Sequence, residues 1–209
     1  LGQSDGMFRE EPLTGDPAYN QANAELGVSV ATAGDVNGDG FSDIVAGAWE
    51  YDNGESDEGA AFVYFGMPDG LSAEPVWVTE PDEANAQYGN SVDCAGDVNG
   101  DGYDDVIIGC PEKIGTFAHI GAAYVYHGSG NGLATTPSSY ITGYLQNEGL
   151  GSCVAGAGDI NGDGYDDVLI GSPDYYDGAV FIHFGSSSGI PVTESQTIET
   201  DIWDTGFGT

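Results

Sequence analysis

An all-β chain of β-propeller blades, each made of four antiparallel strands, is the fold this sequence predicts. Three observations lead there. A nine-residue acidic motif occurs three times, its first Asp at positions 35, 97 and 159, a constant interval of 62 residues. A fixed period in that range marks a repeat architecture. Around each motif the chain breaks into short runs rich in β-branched and aromatic residues and punctuated by glycine, as strands are. No segment carries helical periodicity of useful length.

The elements follow in the same order in every repeat. A strand precedes the motif, as in Val28-Ser29-Val30-Ala31-Thr32-Ala33. The motif is then the turn of a β-hairpin. The next strand is Ile44-Val45-Ala46, Val106-Ile107-Ile108 or Val168-Leu169-Ile170, each soon stopped by glycine. Unbroken apolar runs of this kind suit a strand covered on both faces. The third strand spans 59–66, 121–128 and 178–185. A turn such as Met67-Pro68-Asp69-Gly70 leads to a weaker fourth strand, such as Pro75-Val76-Trp77-Val78-Thr79. Four short, evenly spaced strands per repeat read as one propeller blade.

The motif has the composition of a calcium loop. It reads Asp35-Val36-Asn37-Gly38-Asp39-Gly40-Phe41-Ser42-Asp43, then Asp97 to Asp105, then Asp159 to Asp167. Calcium is a hard cation that takes about 6–8 oxygen ligands. Side-chain oxygens stand at positions 1, 3, 5 and 9: Asp35, Asn37, Asp39 and Asp43; Asp97, Asn99, Asp101 and Asp105; Asp159, Asn161, Asp163 and Asp167. Position 7, which is Phe41, Tyr103 or Tyr165, would give its backbone carbonyl and leave its side chain free to be aromatic. Position 6 is glycine throughout (Gly40, Gly102, Gly164), where a chain wrapping an ion needs a sharp turn. Acidic Asn/Gly hairpin turns without metal are the plainer alternative, but identical ligand spacing in three copies argues against it. The EF-hand is excluded: its closing Glu at position 12 is here Ala46, Ile108 or Ile170, and strands rather than helices flank the loop. Asp104 and Asp166, at position 8, are expected to be solvated outer charges.

These residues resemble the FG-GAP repeat, the unit of the integrin α-chain N-terminal β-propeller and of many bacterial surface proteins. The "FG" stands as Leu26-Gly27, Tyr88-Gly89, Leu150-Gly151 and Phe207-Gly208. The "GAP" stands as Gly47-Ala48-Trp49, Gly109-Cys110-Pro111 and Gly171-Ser172-Pro173, never intact. The acidic loop lies between them, as in that family. The resemblance covers nearly the whole chain. It implies calcium at the matched Asp and Asn positions of each blade, three structural ions in all.

On this pattern the chain divides into the end of a preceding repeat (1–25), repeats at 26–87, 88–149 and 150–206, and the start of another at 207–209. Leu1-Gly2-Gln3-Ser4-Asp5-Gly6-Met7 matches the register of Phe65 to Leu71. A propeller closes with about four to eight blades, and seven of this length need roughly 430 residues. The expectation is a segment of a longer chain, or a unit whose ring is completed by other subunits.

Acidic residues number 35 against two basic ones, Arg9 and Lys113, for a net charge of −33. Such a surface repels nucleic acid and anionic membranes. It favours a cation-rich medium, and loops of this type fill where free calcium is high, outside the cytoplasm. No signal peptide or membrane-length apolar run is present, so direct membrane insertion is not expected. Three cysteines are too few for a disulfide framework. Cys94 and Cys110 flank the second loop on strands expected to pair, so either a bridge or two buried thiols fits.

Catalytic constellations are not expected. His119, His127 and His183 recur with no nucleophile or carboxylate at a suggestive spacing, and His127 aligns with Phe65 and Phe184 as a packing position. Trp77 and Trp203 are assigned to packing. Trp49 opens an acidic loop from Glu50 to Glu58 that, with its counterparts carrying Lys113, Phe117 and His119 or Tyr175 and Tyr176, is read as solvated loop or as recognition surface. The function favoured by the sequence is a non-catalytic, calcium-binding extracellular module for adhesion to or recognition of a protein or glycan. The alternatives are a propeller of a secreted polysaccharide- or phospholipid-acting enzyme, and a structural unit of a surface fibre or ring.

Overall fold

The computed structural model describes residues 21–115 and 118–199. The matches at the two chain ends, with Arg9, Phe117 and Trp203, lie outside these residues. Three four-stranded antiparallel sheets follow one another along the chain. The first holds β1 (Ser29–Gly34), β2 (Asp43–Ala48), β3 (Ala60–Tyr64) and β6 (Trp77–Thr79), in that order across the sheet. The two-residue strands β4 (Gly66–Met67) and β5 (Gly70–Leu71) form a small hairpin before β6. The second sheet runs β7 (Ser91–Gly96), β8 (Asp105–Cys110), β9 (Ala122–Tyr126), β10 (Ser139–Thr142). The third runs β11 (Cys153–Gly158), β12 (Asp167–Ser172), β13 (Ala179–His183), β14 (Gln196–Glu199). The described residues contain no helix, and so none able to cross a membrane. The first strands of the three sheets lie side by side, β1 against β7 and β7 against β11, as the inner strands of successive propeller blades do.

Alternation along β8 shows why its run is apolar throughout. Val106, Ile108 and Cys110 join a core with Val45, Val63 and Trp77 of the first blade. Ile107 points the other way, into a core with Val168, Ile170 and Phe181 of the third. A strand sandwiched between two blades needs apolar side chains on both faces, and all six residues of β8 are buried. The Trp77 indole fills this interface: it meets the Tyr126 ring edge-on at 4.8 Å and donates its N–H to the Ala134 carbonyl. Tyr88, the "F" of its repeat, is fully buried, and its hydroxyl donates to the Tyr126 hydroxyl oxygen. Phe65 and His127 serve as equivalent wedges, each against a turn glycine of the next blade, Gly132 and Gly189.

The two named glycine positions meet across the blade boundary. A β-carbon on Gly47 would lie 1.8 Å from the carbonyl oxygen of Gly89, and one on Gly109 would lie 2.0 Å from that of Gly151. The "G" of one repeat's "GAP" thus touches the "G" of the next repeat's "FG". That close approach of two backbones is a physical reason for both residues.

The cysteine bridge does not form. Cys94, Cys110 and Cys153 are all free thiols. Cys94 pairs with Val106, while Cys110 lies four residues further along β8, beyond the Ser91–Gly109 pair. At about 3.3 Å per strand residue the two are too far apart for a disulfide. Burial pushes the Cys94 thiol up to about 11 and raises that of Cys110 further.

Candidate metal loops

Each acidic motif is the β1–β2, β7–β8 or β11–β12 turn of its blade. The ladder slips by one residue on entry, between Thr32 and Gly34, Cys94 and Gly96, and Gly156 and Gly158. A bulge of this kind turns the chain out of the sheet and starts the loop. Gly40, Gly102 and Gly164 have φ of +88°, +90° and +95°, the turn expected at position 6.

The hydrogen bonds inside the loops are nearly superimposable. In the second loop Asp97 Oδ1 accepts from the Gly100 and Asp101 amides, and Oδ2 from Gly102 at 2.9 Å. Asn99 accepts from the Asp101 amide and donates its side-chain N–H to Asp101 Oδ2. Asp101 Oδ1 accepts from the Tyr103 amide. The third loop repeats all of these around Asp159, Asn161, Asp163 and Tyr165. The first repeats them around Asp35, Asn37, Asp39 and Phe41, without the position-4 amide.

Position 9 has a second task. Asp43, Asp105 and Asp167 are wholly buried. In each, Oδ2 accepts from the position-2 amide (Val36, Val98, Ile160). Oδ1 accepts from the glycine two residues beyond β3, β9 or β13 (Gly66, which opens β4, Gly128 and Gly185). The carboxylate therefore locks the loop to the chain leaving that strand. Burial, with smaller contributions from Asp101 and Asp97, pushes the Asp105 carboxyl up to about 7 against the pull of the Gly128 and Val98 amides. Asp43 is raised by burial in the same sense.

This donor set fits a hard cation. It offers oxygen alone, it buries one carboxylate beside two others, and each carboxylate keeps an oxygen with a lone pair beyond its hydrogen bonds. A bound ion would offset the burial, and the smaller repulsion from Asp101 and Asp97, that raise Asp105.

Asp104 and Asp166 correct the expectation for position 8. They are not solvated outer charges. Asp104 Oδ2 accepts the amide N–H of Asp35 at 2.7 Å, and Asp166 Oδ2 that of Asp97 at 2.9 Å, each from the preceding loop. The Asp104 and Asp166 amides donate back to the Asp35 and Asp97 carbonyls. The rings of Tyr103 and Tyr165 lie over Gly38 and Gly100 of those same loops. Each loop is thus pinned by the next blade. Ser42 holds this position in the first loop. Replacing Asp104 by Ala should cost about 1.5–3 kcal/mol, as for other hydrogen bonds to a charged group. It should also weaken cation binding by the first loop, although Asp104 lies outside that loop. Loop-by-loop calcium titration with thermal melting reads both; a first loop indifferent to the change would refute the link.

The loops at the opposite blade edge hold what sequence reasoning missed. In the loop from Glu50 to Glu58, Glu58 is completely buried, not solvated. One oxygen each from Glu58, Glu80 and Asp82 falls within 4.8 Å of the others, and among the described residues this is the one such trio of acidic, Cys or His side chains. The signal was available in the repeat register: 62 residues on from Glu58 stands Ile120, a buried apolar residue. Elsewhere on this edge Trp49 donates to Glu25, Lys113 pairs with Glu83, and His119 pairs with Glu112. His183 is buried, with Nδ1 3.0 Å from the Pro191 carbonyl oxygen, a packing role.

Two family models match: one described as "FG-GAP-like repeat" over residues 97–170 and one described as "FG-GAP repeat" over residues 26–64. The chain is 32% identical over 186 residues to integrin alpha-6 of Gallus gallus, covering 87% of this chain and 16% of that protein. It is 30% identical over 179 residues to integrin alpha-3 of Cricetulus griseus, covering 82% and 16%. It is 29% identical over 200 residues to integrin alpha-5 of Xenopus laevis, covering 92% and 18%. The chain therefore spans less than a fifth of the length of these relatives.

Proposed function

The chain belongs to the FG-GAP repeat family, and from that premise we propose that it is a calcium-tied propeller segment of an extracellular adhesion or recognition protein. The observation that carries this reading is the threefold recurrence of one loop geometry, with oxygen donors at positions 1, 3, 5 and 9. The ion is structural. It ties the turn joining the first two strands of a blade, so its binding free energy becomes folding free energy. The rigid blades then present the variable loops of the opposite edge, among them Trp49 and Tyr176, to a protein or glycan. Tyr176 is 73% exposed there, and such a ring gives contact area at low entropic cost. Neighbouring blades come from the same longer chain or from partner subunits. The module itself is non-catalytic.

Calcium stoichiometry by equilibrium dialysis tests the metal assignment. Asp39→Asn, Asp101→Asn and Asp163→Asn should each remove one bound equivalent; if none does, the loops are not calcium sites. A panel of immobilised extracellular-matrix proteins and glycans tests recognition. Retention that persists undiminished in chelator would speak against blades held by calcium.

A further inference from the structure

Glu58 poses an electrostatic problem, sharpened by a second and a third acid beside it. A buried carboxylate is costly unless a charge partner or enough hydrogen bonds compensate it. Its Oε1 accepts from the amides of Asn53 and Glu55. Its Oε2 is buried and has no hydrogen-bond partner. Glu80 repeats the arrangement: Oε1 accepts from the Asn53 side-chain N–H at 2.7 Å, and Oε2 is buried without a partner. Asn53 therefore holds one oxygen of each glutamate and leaves the other free. Among the described residues no salt bridge reaches Glu58, Glu80 or Asp82. Lys113 is the sole Lys or Arg among the described residues, and it is paired with Glu83. In the second repeat the corresponding positions are Ile120, Thr142 and Tyr144. That edge carries one buried acid, Glu148, whose Oε2 accepts the Tyr144 and Leu145 amides, and, among the described residues, no trio of acids.

The trio is also held in place. β6 runs antiparallel to β3, with Ala61 opposite Thr79, so the segments bearing Glu58 and Glu80 share one edge of the blade. The acidic motif joins β1 to β2 at the other edge. Backbone bonds from Asn85 to Ser56, Gln87 to Asp57 and Tyr88 to Glu58 zip the two loops together. Asp82 completes the group from a left-handed backbone position (φ 52°) and remains exposed, leaving an approach from solvent.

We infer that Glu58, Glu80 and Asp82 form a further divalent-cation site, of the oxygen-only calcium class, on the blade edge opposite the acidic loops. Three carboxylates supply the first oxygens, and water the remainder, as hard cations accept. Burial raises the Glu80 carboxyl, with the neighbouring charges of Glu58 and Asp82 acting the same way, which is the repulsion an ion would relieve. The site is independent of the three motif loops. It would make the presenting edge of this blade calcium-dependent in its own right.

The test is calcium stoichiometry on the metal-stripped full chain, with Glu80→Gln as the variant. Gln keeps the side chain's size and removes its charge, and Glu80 is only partly buried. The variant should bind one equivalent fewer than the parent. The Asp101→Asn variant, altered at a motif loop, should lose a different equivalent, and the double variant should lose two. Asp82→Asn, at an exposed position, should raise the calcium concentration needed for the same equivalent about tenfold or more. Melting supplies a second readout. In chelator the Glu80→Gln chain should melt above the parent, since repulsion is gone; in calcium the order should reverse. Equal stoichiometry in parent and Glu80→Gln, or a calcium-induced rise in melting temperature that is the same in both, overturns the site. If the motif loops bind nothing while Glu80→Gln still removes an equivalent, this site stands and the loop assignment falls.

Discussion

Withdrawing calcium should lower the melting temperature of this chain by about 20 °C, more than any single substitution short of outright unfolding. With free ion about a hundredfold above the dissociation constant, each site contributes about 2.7 kcal/mol to the folded state. Three motif loops together then supply about 8 kcal/mol, comparable to the whole stability of many domains. For a chain of this length each kcal/mol moves the midpoint by about 2–4 °C. The effect has a visible cause. Asp43, Asp105 and Asp167 are fully buried beside other loop carboxylates, and without a cation their mutual repulsion acts at a place the blade cannot open to water. Scanning calorimetry in millimolar calcium and in excess chelator reads the difference. An unchanged midpoint would mean that the loops carry no structural ion.

The second large effect needs only one methyl group. Gly109→Ala places a carbon 2.0 Å from the Gly151 carbonyl oxygen, backbone against backbone, with no flexible side chain to give way. The blades must part or the strand must shift, so a loss of about 3 kcal/mol or more is expected. Gly47→Ala repeats the experiment one blade earlier, with its added carbon 1.8 Å from the Gly89 carbonyl oxygen. It should lose stability to a similar degree in scanning calorimetry. If both alanine variants melt within a few degrees of the parent, contact between the two glycine positions is not what fixes them.

The strands and the acidic loops were legible because their determinants are local. Ile44 to Ala46, Val106 to Ile108 and Val168 to Ile170 announce covered strands by composition, and each forms the middle of β2, β8 or β12. Loop spacing and the position-6 glycine likewise refer only to their own nine residues. What escaped the sequence depends on a neighbour. Asp104 resembles a spare surface charge until the preceding blade brings the Asp35 amide to it. Glu58 resembles a loop acid until β6 delivers Glu80 beside it. Cys94 and Cys110 suggested a bridge because both flank one loop, but they belong to different rows of the ladder. Register and blade-to-blade docking are properties of pairs, and a single repeat read alone does not contain them.

The clasp that Asp104 and Asp166 make on the preceding loop ties the array into one unit: Asp104 takes the amide of Asp35, and Asp166 that of Asp97. An ion taken up at one loop should then favour uptake at its neighbour, by the same factor in both directions, and titration should fill the row as one cooperative step.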